Sequence, residues 1–237
     1  MDTTGRYELV AFDVPDAGAA SRFWADLTGW EVVRDVGDWV TLRAPDGQKV
    51  AFQQVADHRA PRWPGQEHPQ QAHLDLLVDG TGAAAERAVS LGATHLADGA
   101  SWVTLADPAG HPFDLCQKDG QEGVGLYAVT YDAPDASALA RFYAGLFGVE
   151  VAYDGPEGAM VTTDGHTLMV QQVQGYTAPR WPDPEHPQQA HLDVLVDDLD
   201  AAVARALELG ATELPGGGDG WRTLADPAGH PFDLTTG

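Results

Sequence analysis

The sequence has 237 residues, 43% of them hydrophobic, and a formal net charge of −23 from 36 acidic and 13 basic side chains. Such a surface repels phosphate backbones and anionic lipid headgroups, so the composition argues against nucleic-acid and peripheral-membrane roles. No apolar run approaches the roughly 20 residues of a membrane-spanning helix, and the single cysteine, Cys116, cannot form an internal disulfide, so we expect a cytoplasmic protein.

The first part of the chain predicts one strand, one helix and three more strands. Residues 8–14 are mostly apolar and predict a strand, and Pro15-Asp16 directly after them is typical of a helix N-cap. Apolar residues then recur at helical spacing until Gly29, where the helix is expected to end. Three further strands are predicted at 30–34, 39–43 and 49–55, the last two joined by the turn sequence PDG.

The same order of elements recurs after a long proline-rich loop. A strand is predicted at 73–78 and a helix at 83–91, followed by short strands near residue 94 and at 102–105 and 112–117. A single βαβββ unit is too small to bury both faces of its sheet. We therefore expect helices to cover one face and a second unit to pair with the first.

The pair of βαβββ units occurs twice along the chain. The string EHPQQAHLD occurs at Glu67–Asp75 and again at Glu185–Asp193, and TLADPAGHPFDL also occurs twice. The sequence therefore predicts a tandem duplication, with copies at 1–118 and 122–237 joined by the hydrophilic segment QKDGQEG. We expect an α+β fold in which four βαβββ units form two cup-shaped mixed sheets with the helices outside.

Strand alternation separates core residues from residues that face the cups. In HLDLLV the second, fourth and sixth residues should pack under the helix, which leaves His73, Asp75 and Leu77 on the concave face. In PFDLC the phenylalanine and the leucine should pack under the helix, which leaves Asp114 on the concave face. A histidine and several carboxylates are therefore expected to line a cavity.

These units and motifs resemble the vicinal oxygen chelate superfamily. The resemblance rests on the first-helix pattern F-[WY]-x-x-L-x-G, on HLDLLVDG and HLDVLVDD opening the second unit of each copy, and on ADPAGHPFDL closing it. Within that superfamily the chain is most similar to glyoxalase-like proteins related to glyoxalase I, bleomycin-resistance proteins and extradiol dioxygenases. The resemblance implies the glyoxalase/bleomycin resistance/dioxygenase fold and a small-molecule substrate or ligand.

The resemblance also implies metal-ligand positions. Family enzymes place ligands on the first, fourth, fifth and eighth strands of a unit pair, but the first-strand position falls on Leu9 and Ala128, which cannot coordinate a metal. The remaining positions are His73 and His191 on the fifth strand, Asp114 and Asp233 on the eighth, and Gln53 and Gln171 on the fourth, or Gln54 and Gln172 if the register shifts by one. The expected groups are His73/Asp114/Gln53 and His191/Asp233/Gln171.

One imidazole, one carboxylate and one amide oxygen suit a divalent ion such as Zn²⁺, Ni²⁺, Co²⁺, Mn²⁺ or Fe²⁺. Such an ion would act as a Lewis acid toward two vicinal substrate oxygens, with Asp114 or Asp233 as the base. The resemblance thus implies a metal-assisted lyase or isomerase. Glyoxalase I activity itself and ring cleavage are not expected, because the first-strand ligand is missing and Asp is one methylene shorter than the usual Glu.

The alternative is a metal-free binding protein that sequesters a drug or a secondary metabolite, like the bleomycin-resistance proteins that the chain resembles. Leu9 and Ala128 would then form an apolar wall. Trp63 and Trp181 lie in the long proline-rich loops, where they would either clamp an aromatic, cationic guest at the cavity rim or plug the neighbouring copy.

Two further pairs of residues are candidates for substrate binding. Arg62 and Arg180 would either steer a substrate carboxylate or pair with the acidic surface. Asp75 and Asp193 would either contact a substrate or only form hydrogen bonds with neighbouring backbone.

The short joint between the copies holds them at high effective concentration, so they should pair within one chain. We expect a monomer with internal pseudo-twofold symmetry. Either each copy forms its own cavity, or strands of both copies build each cavity, as in a fused version of the family's usual homodimer.

Overall fold

The computed structural model describes residues 5–237, and each copy folds as two βαβββ units. The first copy comprises β1 (Arg6–Val14), α1 (Ala17–Thr28), β2 (Glu31–Asp35), β3 (Trp39–Arg43), β4 (Lys49–Gln54), β5 (Ala72–Val78), α2 (Thr81–Ser90), β6 (Thr94–Asp98), β7 (Trp102–Ala106) and β8 (Pro112–Gln117). Every strand and helix predicted for this copy is present, with ends that differ by a few residues at most.

The second copy repeats the order. It comprises β9 (Gly125–Ala133), α3 (Ala136–Phe147), β10 (Val151–Asp154), β11 (Gly158–Thr163), β12 (His166–Gln172), β13 (Ala190–Leu195), α4 (Leu199–Leu209), β14 (Thr212–Gly218), β15 (Trp221–Ala225) and β16 (Pro231–Thr235). The predicted α+β class and the repeated halves are therefore confirmed.

The helix ends follow local sequence rules. The Asp16 side chain accepts a hydrogen bond from the backbone N–H of Ala19 at 2.7 Å, which satisfies one of the free donors at the start of α1. Gly29 ends the same helix with a φ of 75°, a conformation that glycine adopts without strain. None of the helices within residues 5–237 is long and apolar enough to cross a membrane.

The strands form two eight-stranded sheets, and each sheet contains strands of both copies. One sheet has the order β14-β15-β16-β13-β1-β4-β3-β2, and the other has the order β10-β11-β12-β9-β5-β8-β7-β6. The first strand of each copy pairs antiparallel with the fifth strand of the other, β1 with β13 and β9 with β5. Each concave face is therefore built between the two copies, as in the fused-homodimer arrangement.

The alternation of side chains divides the sheets as expected. Leu74 and Leu76 are at most 1% exposed and belong to the core under the helices, together with Phe113 and Leu115. The intervening residues of β5 and β8 face the opposite, concave side. We call the concave face around His73 the His73 cup, and the face around residue 191 the His191 cup.

Candidate functional site

The floor of the His73 cup carries one imidazole and two carboxylates. His73 Nε2 lies 3.8 Å from Asp75 Oδ1 and 3.9 Å from Asp114 Oδ2. His73 and Asp75 are on β5 and Asp114 is on β8, which pairs parallel with β5 so that the two aspartates are direct neighbours. All three side chains are buried or nearly so, and they converge because alternate strand residues share a face.

Two threonine hydroxyls hold the carboxylates. Thr130 of β9 donates to Asp75 Oδ2, and Thr104 of β7 donates to Asp114 Oδ1 at 2.6 Å. Burial raises the pKa of Asp114, and the nearby His73 and the Thr104 hydrogen bond act in the opposite direction. Each carboxylate therefore keeps one oxygen directed at His73 while the other oxygen is fixed by a donor.

A glutamine of the repeated string orients the imidazole. Gln70 Nε2 lies 3.1 Å from Asp132 Oδ1 and 3.2 Å from His73 Nδ1. Because a carboxylate needs a donor, the amide NH₂ faces Asp132 and its second hydrogen points at Nδ1. As arranged, Nδ1 accepts and the ring proton is on Nε2, the nitrogen that faces the two carboxylates.

Above this floor is a cavity of about 770 Å³ with aromatic and aliphatic walls. This volume lies within the range of pockets that enclose small organic ligands. Both copies contribute to the wall, which includes Leu77 and Trp102 of the first copy and Tyr127, Tyr153, Met169 and Gln171 of the second.

The His191 cup has the same floor but lacks one of its hydrogen bonds. His191 Nε2 lies 3.6 Å from Asp193 Oδ1, and Thr223 donates to Asp233 Oδ1 at 2.6 Å. The residue opposite His191 on β1 is Ala11, where the other cup has a threonine, so Asp193 has no such hydroxyl donor. Burial raises the pKa of Asp193 to about 7 and that of Asp233 to about 6, and it lowers the pKa of His191 to about 4.

An aromatic side chain covers the His191 floor. The half-buried Trp39 packs against Leu9, Ala11 and Ala51. Its ring centroid lies 6.0 Å from that of His191, with 48° between the ring planes. Part of this cup is therefore filled by the protein itself.

The sequence and the fold were compared with known proteins. The family model of the Glyoxalase-like domain matches residues 9–116 and again residues 128–235. The chain belongs to the glyoxalase-like domain family. A comparison with curated protein sequences found no match.

Solved structures share the fold of this glyoxalase-like chain over its whole length. Glyoxalase I from Zea mays is 17% identical with a TM-score of 0.64, and the alignment covers 98% of this chain and 92% of that one. A candidate dioxygenase from Bacillus subtilis is 12% identical with a TM-score of 0.65, covering 99% and 86%. At these identities the likeness concerns the fold alone.

The two floors suit a divalent ion. Two ligands at about 2.1 Å from one ion can be at most about 4.2 Å apart, and the Nε2–O separations of 3.6–3.9 Å are below that limit. In each cup the histidine and both aspartates offer ligand atoms that lie within 4.8 Å of one another. Imidazole and carboxylate are ligands for Zn²⁺, Mn²⁺, Fe²⁺, Co²⁺ and Ni²⁺. The residues present therefore fit the group that the fold family implies.

The expected grouping of the glutamines with the histidines is wrong. Because each sheet combines both copies, Gln171 lines the His73 cavity, and Gln53 lies on the concave face of the His191 sheet. The side-chain oxygens of Gln54 and Gln172 accept hydrogen bonds from backbone N–H groups at the starts of α1 and α3. Gln172 nevertheless borders the His73 cavity together with Gln171.

The loop residues have different positions in the two copies. Trp63 and Arg62 line a separate cleft with Gly92 and Pro108, not the His73 cavity. The exposed Arg62 pairs with Glu67 in its own loop, at 3.5 Å. Arg62 therefore contacts the acidic surface of its own loop.

Trp181 lies beside β14 of the His191 sheet. A Cβ placed on Gly216 of β14 would be 3.4 Å from the Trp181 ring and 3.0 Å from Thr223 Oγ1, so the ring approaches the edge of the His191 cup. Arg180 contacts Asp183 and His186 of its own loop, at 3.9 and 2.6 Å. It therefore pairs locally, like its counterpart.

Several residues of the site were not predicted. Asp75 and Asp193, expected to contact substrate or backbone, join the His–Asp clusters that could hold a metal ion. Thr130 donates to Asp75, and Gln70 Nε2 lies beside His73 Nδ1. The wall of the cavity includes Trp102, Tyr127, Tyr153 and Met169. Alternation along β9 would have placed Thr130 on the concave face, but its partner could not be read from the sequence without the strand order.

Proposed function

We propose that the chain is a metal-assisted lyase or isomerase that acts on a small organic molecule in the His73 cup. The observation that supports this proposal best is the buried cluster of His73, Asp75 and Asp114 at the floor of a cavity of about 770 Å³. Polar groups that converge under apolar walls are typical of ligand and active sites.

His73, Asp75 and Asp114 would hold the divalent ion. When bound, such an ion polarises a substrate oxygen and stabilises negative charge that develops on it.

Asp114 is the proposed base. Its Oδ1 accepts the Thr104 hydroxyl at 2.6 Å, so Oδ2 would serve in turn as the ligand atom and as the acceptor of the substrate proton. Burial raises the pKa of Asp114, so its carboxylate binds a proton more readily than an exposed one does.

The test is the metal content of protein purified without chelator and of protein reconstituted with Zn²⁺ or Mn²⁺. We expect bound metal in the wild type and its loss from the first cup in the variant His73→Ala/Asp114→Asn. The matched variant His191→Ala/Asp233→Asn changes the equivalent residues of the second cup and should leave the His73 cup loaded. Equal metal content in wild type and in a variant with both cups altered, or none in the reconstituted wild type, would refute the metal role.

A metal-free binding protein is the second candidate, and the Gln70 amide favours it. Because Gln70 donates to Nδ1 of His73, the ring proton lies on Nε2, where a metal ligand needs a lone pair. Metal binding would require the amide to turn and the proton to move to Nδ1.

Nitrogen NMR of ¹⁵N-labelled histidine side chains distinguishes the two candidates. For the enzyme we expect Zn²⁺ to shift the His73 resonances to the Nδ1–H form with a metal-bound Nε2. If the Nε2–H form persists in excess Zn²⁺, the binding protein is the better description. The variant Gln70→Ala should remove the preference for Nε2–H without affecting the His191 signals.

A further inference from the structure

Trp39 and Gly158 occupy equivalent positions in the two copies. Trp39 of β3 pairs with Gln53 of β4, and Gly158 of β11 pairs with Gln171 of β12. Both strands lie at the same place in their sheets, two strands away from the junction between copies. A tryptophan in one cup therefore corresponds to no side chain in the other.

Gly158 leaves open the space that Trp39 fills. The floor positions Ala11 and Ala51 under Trp39 correspond to Thr130 and Met169, and both of these line the large cavity. A Cβ on Gly158 would overlap a backbone carbonyl of β12, so a larger residue there would require a shift of the strand. The His73 cup, which we call the open cup, thus includes a space equivalent to the one that the Trp39 indole ring occupies in the His191 cup, which we call the closed cup.

A second pair of equivalent positions carries different side chains. Arg34 of β2 and Tyr153 of β10 occupy the same step of their ladders. Arg34 is exposed on the edge strand of its sheet. The Tyr153 hydroxyl instead donates to Glu157 Oε1 at 2.8 Å, and both residues line the open cavity.

The His191 cup therefore holds an aromatic ring beside its histidine, and the His73 cup has a glycine at that position. Among the described residues that line the open cavity, none is a lysine or an arginine, while Asp75, Asp114 and Glu157 are acidic. Tyr127 and Tyr153 also present aromatic groups, which attract cations when they are near a ring face.

We propose that Trp39 is a built-in occupant of the His191 cup, and that the His73 cup binds one planar aromatic molecule of about indole size that carries a positive charge. The ring lies against His73, over Thr130 and Met169, as Trp39 lies against His191. The charged group lies toward Tyr153 and Glu157. This inference rests on the proposed function in one respect, that the His73 cup is the working site, but it does not require the metal.

The test is calorimetric titration with three indoles that differ in charge: tryptamine, indole and indole-3-acetate. We expect the wild type, as purified, to bind one equivalent of tryptamine per chain, at least tenfold more tightly than indole-3-acetate. Neutral indole should bind with intermediate affinity. Metal content is measured in the same samples, so tryptamine binding without metal would refute only the metal role, and metal without tryptamine binding would refute only this inference.

Two variants assign the binding to the cups. Met169→Trp places an indole in the open cup and should weaken tryptamine binding at least tenfold. Trp39→Ala opens the second cup and should add one equivalent of neutral indole, while Trp39→Phe keeps a ring in place and should not. The Met169→Trp result and the wild-type stoichiometry remain informative even if Trp39→Ala fails to fold.

Three results would overturn the inference. The first is two equivalents of tryptamine in the wild type, because the His191 cup would then be open. The second is equal affinity for tryptamine and indole-3-acetate, and the third is unchanged tryptamine binding in Met169→Trp.

Discussion

Gln71 and Gln189 exchange hydrogen bonds across the junction of the two copies. The backbone N–H of Gln71 donates to Gln189 Oε1 at 3.2 Å, and that of Gln189 donates to Gln71 Oε1 at 2.7 Å. Their side-chain NH₂ groups donate to the carbonyls of Pro187 and Pro69, at 2.7 and 2.8 Å. The repeated string EHPQQAHLD therefore meets its own copy, and such an interface requires self-complementary residues on both sides.

We predict that Gln71→Ala lowers the free energy of unfolding by about 1–3 kcal/mol, because it leaves the buried backbone N–H of Gln189 without an acceptor. Urea denaturation measures the loss. The double variant with Gln189→Ala should lose less than the sum of the single variants, because the two side chains form one network. The exposed Gln174→Ala is the control, and an equal loss there would contradict the prediction.

Asp193→Asn should stabilise the metal-free protein at alkaline pH. Burial, followed by the charge of Asp233, raises the pKa of Asp193 to about 7. In the unfolded chain the pKa of this carboxyl group is about 4. The protonated carboxyl therefore contributes stability to the folded protein that is fully present below about pH 4 and is lost as the pH rises through about 7. The Asn variant does not titrate and keeps it.

The gain over wild type should therefore be on the order of 3 kcal/mol at pH 8 and clearly smaller at pH 5. Chemical denaturation in EDTA at both pH values measures it. Asp219→Asn, at an exposed position in the turn after β14, should show no such difference. A gain from Asp193→Asn that does not depend on pH would contradict the assignment.

Thr130→Ala places an alanine in the His73 cup, as at the equivalent position, Ala11, of the His191 cup. Thr130 fixes Asp75 by donating to Oδ2, and loss of a group that orients a metal ligand commonly costs 10–100-fold in metal affinity. We expect a loss of about this size in competition with a chelating dye. The exposed Thr162→Ala should have no effect. If both variants bind Zn²⁺ like the wild type, Thr130 has no role in holding the ligand.

Cys116 should react slowly although it lines the cavity. Burial, with the negative charges of Asp75 and Asp114, raises the pKa of its thiol to about 12. At pH 8 the thiolate fraction is then on the order of 10³ lower than for a free thiol. We expect much slower alkylation by iodoacetamide in the native protein than in guanidinium chloride, and faster native alkylation in Asp75→Asn. Equal native and denatured rates would contradict the expected shift.

The sequence predicted features that depend on local geometry. The sidedness of a strand follows from alternation, so His73, Asp75 and Asp114 were placed on the concave face and Leu74 and Leu76 in the core. The repeats predicted two superposable halves for the same reason, since equal strings form equal units. Helix ends at Asp16 and Gly29 also follow from short-range hydrogen bonding and backbone conformation.

The partners of those residues could not be predicted, because they depend on which strands meet. β1 could have paired with β5 of its own copy, which would have joined Gln53 to His73. Instead β1 pairs with β13, and the glutamines change places. Two further contacts depend on the strand order in the same way. Thr130 donates to Asp75, and Trp39 lies against His191, and each of these contacts joins side chains of different copies.

The shared construction of the cups has a consequence for how the gene can change. In a dimer of two identical chains, one codon specifies a given residue in both cavities, so a tryptophan that closed one would close the other and abolish binding. When the two halves are encoded in tandem, positions 39 and 158 are specified by different codons and can mutate independently, and so can positions 34 and 153. Substitutions can then fill one cavity and stabilise the fold, while the other cavity remains open and can change its ligand specificity.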